Sequence, residues 1–388
     1  MKIPILSYIY LFTLTAFLAS CSQTTSTTST SLDTKEYLYV GTFFGSGSEG
    51  IYVYSFDRES MSFSPLQTVP TLNSPSFLTV NDQGSQLFSV TRGGITPDDT
   101  VGAAQSFSIN PENGQLTAVN QVSSHGKEGC HITLNQDDTY AFVAHYTDGS
   151  LGIFPVNEDG SLGELANSIQ LKGSSINAAR QESAHAHAIQ MLPDGKHFAA
   201  ADLGSDKIWL FSFENGKASP ASIPFIQTEP GGGPRHFTFL EGTPYLFVGE
   251  ELSSHVSVFS YDLENATYEQ LQRLSTLPED YEGESYVADI HISPDNKFVY
   301  VSNRGHHSLA IFSLNTETGL LESIGFESTK GDWPRNFMID PQGEFVLVAN
   351  ERSDDIWLFK RDVETGLLTA TDIQIQNPSP VCLELVTL

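Results

Sequence analysis

Two sets of charged and imidazole-bearing residues recur at fixed places along this 388-residue chain. One set stands at or just before the start of an alternating apolar run: His131, His185, His187, Arg235, His236, Asp289, His291, Trp333, Arg335 and Asn336. The other follows the next run: Arg92, His145, Asp202, Glu250, Glu251, Asn303, Arg304, Glu351 and Arg352. A carboxylate or imidazole with a tuned pKa takes a proton from water, while clustered arginines hold an anion and stabilise an oxyanion as it forms. Together they suit the opening or closing of a cyclic ester. For any single residue in either set, a hydrogen bond to a neighbouring element is an equally good use.

A repeat positions them. Seven times between Tyr37 and Leu388 the chain passes through an apolar segment, a polar turn, a second segment ending in the charged cluster, and a third ending in an aromatic. Period-2 alternation, β-branched and aromatic content and Gly, Asn and Asp turns predict strands throughout. A repeat of about 50 residues matches a four-stranded blade, which buries both faces only by packing against its neighbours. The expected fold class is all-β: a seven-bladed β-propeller with four antiparallel strands per blade. The first unit begins at its second strand, Tyr37 to Thr42, and the chain ends on an unpartnered first-strand run, Pro380 to Leu385. The C-terminal strand is therefore expected to pair with the N-terminal blade and close the ring, hiding two sheet edges.

In such a blade the start of the first strand and the end of the second share a rim, so both chemical sets gather at one mouth of the channel. The turns of the other rim, among them Asn81 to Gly84 and Asp340 to Gly343, are ordinary turn chemistry and are assigned no function.

The first twenty residues carry Lys2, an apolar stretch from Ile3 to Ala19 and the run Leu18-Ala19-Ser20-Cys21. This resembles a bacterial lipoprotein signal, with Cys21 as the lipid-attachment residue; an uncleaved anchor or plain secretion is the alternative. Residues 21–36 read as a Ser/Thr-rich tether and 37–388 as the propeller. The expected location is the cell envelope, with membrane contact only through the lipid. A formal net charge of −28 makes nucleic acid and anionic surfaces poor partners. Cys130 and Cys382 fall in blades that are not neighbours and are expected to be free thiols.

The strings AHAHAIQMLPDGKHFAAADLGSDKIWLF from Ala184, GPRHFTF from Gly233, GEELSSHVSVF from Gly249, VSNRGHHSLAIF from Val301 and GDWPRNFMIDPQGEFVLVANERSD from Gly331 carry a family resemblance. The chain resembles, from Tyr37 onward, the lactonase family of seven-bladed propellers that contains bacterial 6-phosphogluconolactonases and fungal carboxy-muconate lactonizing enzymes. The resemblance implies a lactone hydrolase needing no metal and no cofactor, acting on a small, anionic, sugar-acid type lactone. Carried over by position, it implies His187, Glu251, Arg235 and Arg304 as the catalytic set and His185, His236, Arg335 and Trp333 as substrate-binding residues. Either His187 or Glu251 is the base. Two other classes stay open: a non-enzymatic surface propeller resembling YVTN-type repeats, and a metal-dependent lactonase using Glu251, Asp202 or Asp289. Blade-to-blade differences among the rim residues argue against the first, and neighbouring guanidinium groups against the second.

Overall fold

The computed structural model describes residues 35–96 and 99–388. The expected signal segment, Cys21 and the expected tether up to Thr34 lie outside the described residues. Twenty-eight strands, β1 to β28, and no helix are found among the described residues. They form seven antiparallel four-stranded sheets, six of them continuous in sequence. The seventh joins β28 (Pro380–Thr387) to β1 (Glu36–Thr42), β2 (Gly50–Asp57) and β3 (Ser62–Pro70). The expected closure is thus observed, with β1 opening at Glu36, opposite Thr387 and Phe56.

The remaining inner strands are β4 (Pro75–Val80), β8 (Gly129–Leu134), β12 (Ala186–Met191), β16 (Pro234–Phe239), β20 (Tyr286–Ile292) and β24 (Pro334–Ile339). Each contacts the inner strand of the blade before and after it, with β28 between β24 and β4, which makes the arrangement a closed ring.

The core is divided in the same way. Seven clusters of buried apolar side chains each straddle one junction between adjacent blades. At the junction of the blades holding β16 and β20, Phe247, Val256 and Val258 meet Val287, Ile290, Val299 and Phe312. Each fully buried side chain of this kind contributes roughly 1.5–3 kcal/mol, so truncating Phe247 to Ala costs about 3–5 kcal/mol. Buried hydroxyls link blades as well: Tyr39 Oη donates to Gly114 O at 2.8 Å and Tyr300 Oη to Gly366 O at 2.7 Å. Both glycines hold the left-handed turn conformation, with φ of 69° and 73°, that presents the carbonyl.

Antiparallel registers such as Pro234 with Glu250, Ala186 with Asp202 and Tyr286 with Arg304 set the start of each inner strand beside the end of the next strand. The two chemical sets therefore share one rim, except for His291, which pairs with Tyr300 towards the opposite end of β20. Cys130 and Cys382 are free thiols.

Candidate active site

All seven inner strands carry a register shift immediately inside this rim. In six of them a single extra residue is inserted: Ser76, Cys130, His187, Arg235, Arg335 and Val381. A bulged residue leaves the pairing ladder and re-aims its side chain. All six of these residues line one cavity of about 190 Å³ on the rim. By liquid volume that space equals roughly six waters, the scale of one sugar ring.

Five arginines line the cavity, Arg92, Arg180, Arg235, Arg304 and Arg335, against two carboxylates, Glu128 and Glu251. The local excess of positive charge is embedded in a chain of net charge −28. Glu251 is the hub. Its Oε1 accepts from Arg180 Nη2 at 2.7 Å, and its Oε2 lies 2.9 Å from Arg304 Nη2 and 3.1 Å from Arg235 Nε. Burial alone would raise the Glu251 carboxyl, but the guanidiniums of Arg304, Arg235 and Arg180 outweigh it and hold it at about 2. Glu250, one residue earlier, faces away and takes Arg273, Ser253 and Ser257 as partners. Burial, then Arg304 and Arg335, push Arg235 well below the usual arginine range. It is only 2% exposed.

Three imidazoles cluster beside the arginines. The rings of His187 and His236 are 5.4 Å apart, and those of His131 and His236 are 5.5 Å apart. Burial and then Arg235 hold His187 well below the ordinary imidazole range. His236 is held at about 4 by burial and Arg235, against the opposing pull of Asp289. Its Nδ1 lies 2.7 Å from Asp289 Oδ1. The second oxygen of Asp289 accepts from Asn336 Nδ2 at 2.6 Å and lies 3.0 Å from His291 Nε2.

Around this cavity several buried polar atoms have no hydrogen-bond partner: Nδ1 of His187, Nε2 of His236 and Nε of both Arg235 and Arg304. Arg235 Nε is close to Glu251 but misaligned for a hydrogen bond. Buried polar groups are satisfied almost everywhere in folded proteins, so a convergent set of unsatisfied ones marks a place where a polar ligand completes the network. Among the described residues no group of three or more His, Cys, Asp or Glu is arranged to hold a metal ion.

Six of the eight residues carried over by resemblance converge on the cavity: His187, Glu251, Arg235, Arg304, His236 and Arg335. The other two stand behind it. His185 stacks on Tyr146, with ring centroids 4.7 Å apart, and its Nδ1 meets Tyr146 O at 2.9 Å. Trp333 packs against the guanidiniums of Arg304 and Arg352 at 5.5 and 3.3 Å. Asp202 spends its oxygens on the amides of His185, Gly204 and Ser205, the Ser205 hydroxyl and the Trp209 indole, so it braces the rim.

Sequence reasoning missed Arg180 and Tyr146. Arg180 lies in the loop before β12 and reaches both Glu251 and Tyr146 Oη, the latter at 3.1 Å. A lone arginine in a long polar insertion of a strongly acidic chain was the only signal.

The seven-bladed lactonase family model matches residues 37–385. The 6-phosphogluconolactonase of Bacillus subtilis is 33% identical over 305 residues, covering 79% of this chain and 85% of that protein. A protein of Formosa agariphila with the same name is 37% identical over 309 residues, covering 78% and 86%. Among solved structures, the periplasmic gluconolactonase of Pseudomonas aeruginosa superposes with a TM-score of 0.85 at 34% identity, covering 91% of this chain and 99% of that one. On sequence and on fold alike, the chain belongs to the lactonase family of seven-bladed β-propellers.

Proposed function

We propose that this protein hydrolyses a small anionic lactone of the sugar-acid type in the arginine-lined cavity, by acid–base chemistry that needs no metal. The observation that carries this reading is the convergence of unsatisfied imidazole and guanidinium nitrogens from separate blades on one small cavity. Arg235, Arg304 and Arg335 bind the substrate anion and polarise the lactone carbonyl, where preorganised donors act most strongly. Glu251 stays ionised near neutrality and holds three arginines at fixed spacing, so the proton work falls to His187 and His236. Both oxygens of Glu251 are already taken by guanidinium groups, which supports chemistry without a bound cation. Trp333 and His185 keep Arg304 and Tyr146 in place.

Carboxylated, unphosphorylated lactones outside the cytoplasm are the preferred substrates in this reading, with Cys21 as a lipid anchor in the cell envelope. The signal-like N-terminus and the similarity to a periplasmic gluconolactonase support that location. The test is hydrolysis of glucarolactone, which keeps a free carboxylate, of neutral glucono-δ-lactone and of 6-phosphogluconolactone, followed by acid release with and without chelator. Turnover that survives the chelator and prefers the carboxylated lactone is expected. Turnover of none of them rejects the reading, and loss on chelation rejects its metal-free chemistry. Arg235→Ala is expected to lower kcat/KM by about a hundredfold or more.

A further inference from the structure

We infer that Asp289 is a positioning residue that makes His236 the general base of the site. The inference rests on the proposed lactone hydrolysis. Of the three clustered imidazoles, His236 alone has a carboxylate against its far nitrogen, with Nδ1 and Asp289 Oδ1 2.7 Å apart. A carboxylate cannot donate while ionised, so the Nδ1 position carries the proton and Nε2 keeps its lone pair. That Nε2 is buried, has no partner, and belongs to a residue lining the cavity. His187 lines the same cavity but makes no carboxylate contact, and His131 is stacked on Phe77 at 4.1 Å.

Asp289 is itself immobilised. Ile290 N donates to Oδ1 at 3.0 Å, and Asn336 Nδ2 and His291 Nε2 hold Oδ2. Asn336 is anchored in turn, its Oδ1 accepting from Leu383 N at 2.8 Å. The blades of β16, β20, β24 and β28 thus all fix one ring. Carboxylate partners of this kind set the tautomer and orientation of a working imidazole and stabilise its cation.

The charged and titratable groups that face His236 are Arg235 on its own strand, His131 on β8, His187 on β12, and Asp289 and His291 on β20. Glu384 on β28 acts from beyond His291. Arg235 opposes a positive imidazole, and Asp289 is the group that compensates.

In the step, Nε2 takes a proton from water while the water oxygen bonds to the lactone carbonyl carbon and the carbonyl electron pair moves onto its oxygen. Collapse restores the carbonyl, breaks the ring C–O bond, and returns the proton from Nε2 to the departing hydroxyl. Lactone and water give hydroxy acid.

The test uses the full chain with glucarolactone and compares Asp289→Asn, His236→Ala and the double variant. Asp289→Asn is expected to lower kcat by about a hundredfold with KM little changed. Its acid limb in the pH profile is expected at lower pH, because removing the negative neighbour weakens proton binding at His236. The double variant is expected to be no slower than His236→Ala, since Asp289 acts only through that ring. An Asp289→Asn kcat within about twofold of the parent, or losses that multiply in the double variant, overturns the inference. If Asp289→Asn does not fold, imidazole added to His236→Ala decides: restored turnover supports the base, and no restoration overturns it. A parent inactive on every lactone instead defeats the underlying hydrolase reading.

Discussion

The two rims of this ring are built by the same seven blades and differ in almost every chemical respect. At the rim opposite the cavity, one solution repeats. Asn81 Oδ1 accepts from the amides of Ser85 and Gln86, Asn135 Oδ1 from Thr139 and Tyr140, and Asp340 Oδ1 from Glu344 and Phe345. At the cavity rim the backbone device also repeats, a bulge in each inner strand, but its residue changes from Ser76 to Cys130, His187, Arg235, Arg335 and Val381. A symmetric scaffold acquires one asymmetric site by holding backbone geometry constant and varying what it presents.

The contrast is tested most severely by deleting residues 380–388. This removes β28, Val381 from the cavity wall and the pairing partner of β1. Loss of cooperative thermal unfolding and of all turnover is expected, and an unchanged melting profile breaks the closure argument. Glu251→Gln takes the charge from the hub of three arginines and is expected to lower kcat/KM by about a hundredfold to a thousandfold in steady-state assays. Arg180→Ala removes one of those arginines at the cavity edge, and a fall of about tenfold is expected.

pH sharpens the same contrast. His236 held at about 4 is neutral and able to act as base across the neutral range, so the acid limb of kcat/KM is expected near pH 4. An unfolded imidazole titrates near 6.5, so the unfolded chain binds this proton first. Stability from the buried neutral ring is therefore lost as pH falls from about 6.5 towards 4. For Glu251, held at about 2, the stabilisation is present above the ordinary carboxylate range, near 4.3, and is lost as pH falls towards 2. Calorimetric scans across pH read both windows. The smallest effect belongs to the opposite rim. Asn315→Ala removes an acceptor for the amides of Glu317 and Thr318, and about 1 kcal/mol of stability is expected to go while kcat/KM stays the same.

The ring was legible in the sequence because strand alternation, turn chemistry and blade phase are local properties that repeat. The missing first strand before Tyr37 and the spare strand at Pro380 stated the closure directly. The bulge was harder. Strict alternation puts His185 and His187 on one side, whereas the register shift after Ala186 sends His187 alone into the cavity. Proline before the bulged residue in Pro75-Ser76, Pro234-Arg235, Pro334-Arg335 and Pro380-Val381 was a usable signal, because proline cannot donate to the ladder. The hub at Glu251 and the brace at Asp289 join side chains from successive blades, and the alternation within a strand does not encode which of them meet. Trp333 was placed on the correct rim, but its φ of 70° belongs to a turn, and its ring lies behind Arg304.

The shared sheet of β28 and β1 also sets a timetable. Glu36 must wait for Thr387, so the first strand meets its partner only after all seven blades have been made. Closing so long a span is entropically costly and slow. Because Val381 belongs to the wall of the arginine-lined cavity, no polypeptide still lacking β28 has a finished site, and any lactone met before closure passes untouched.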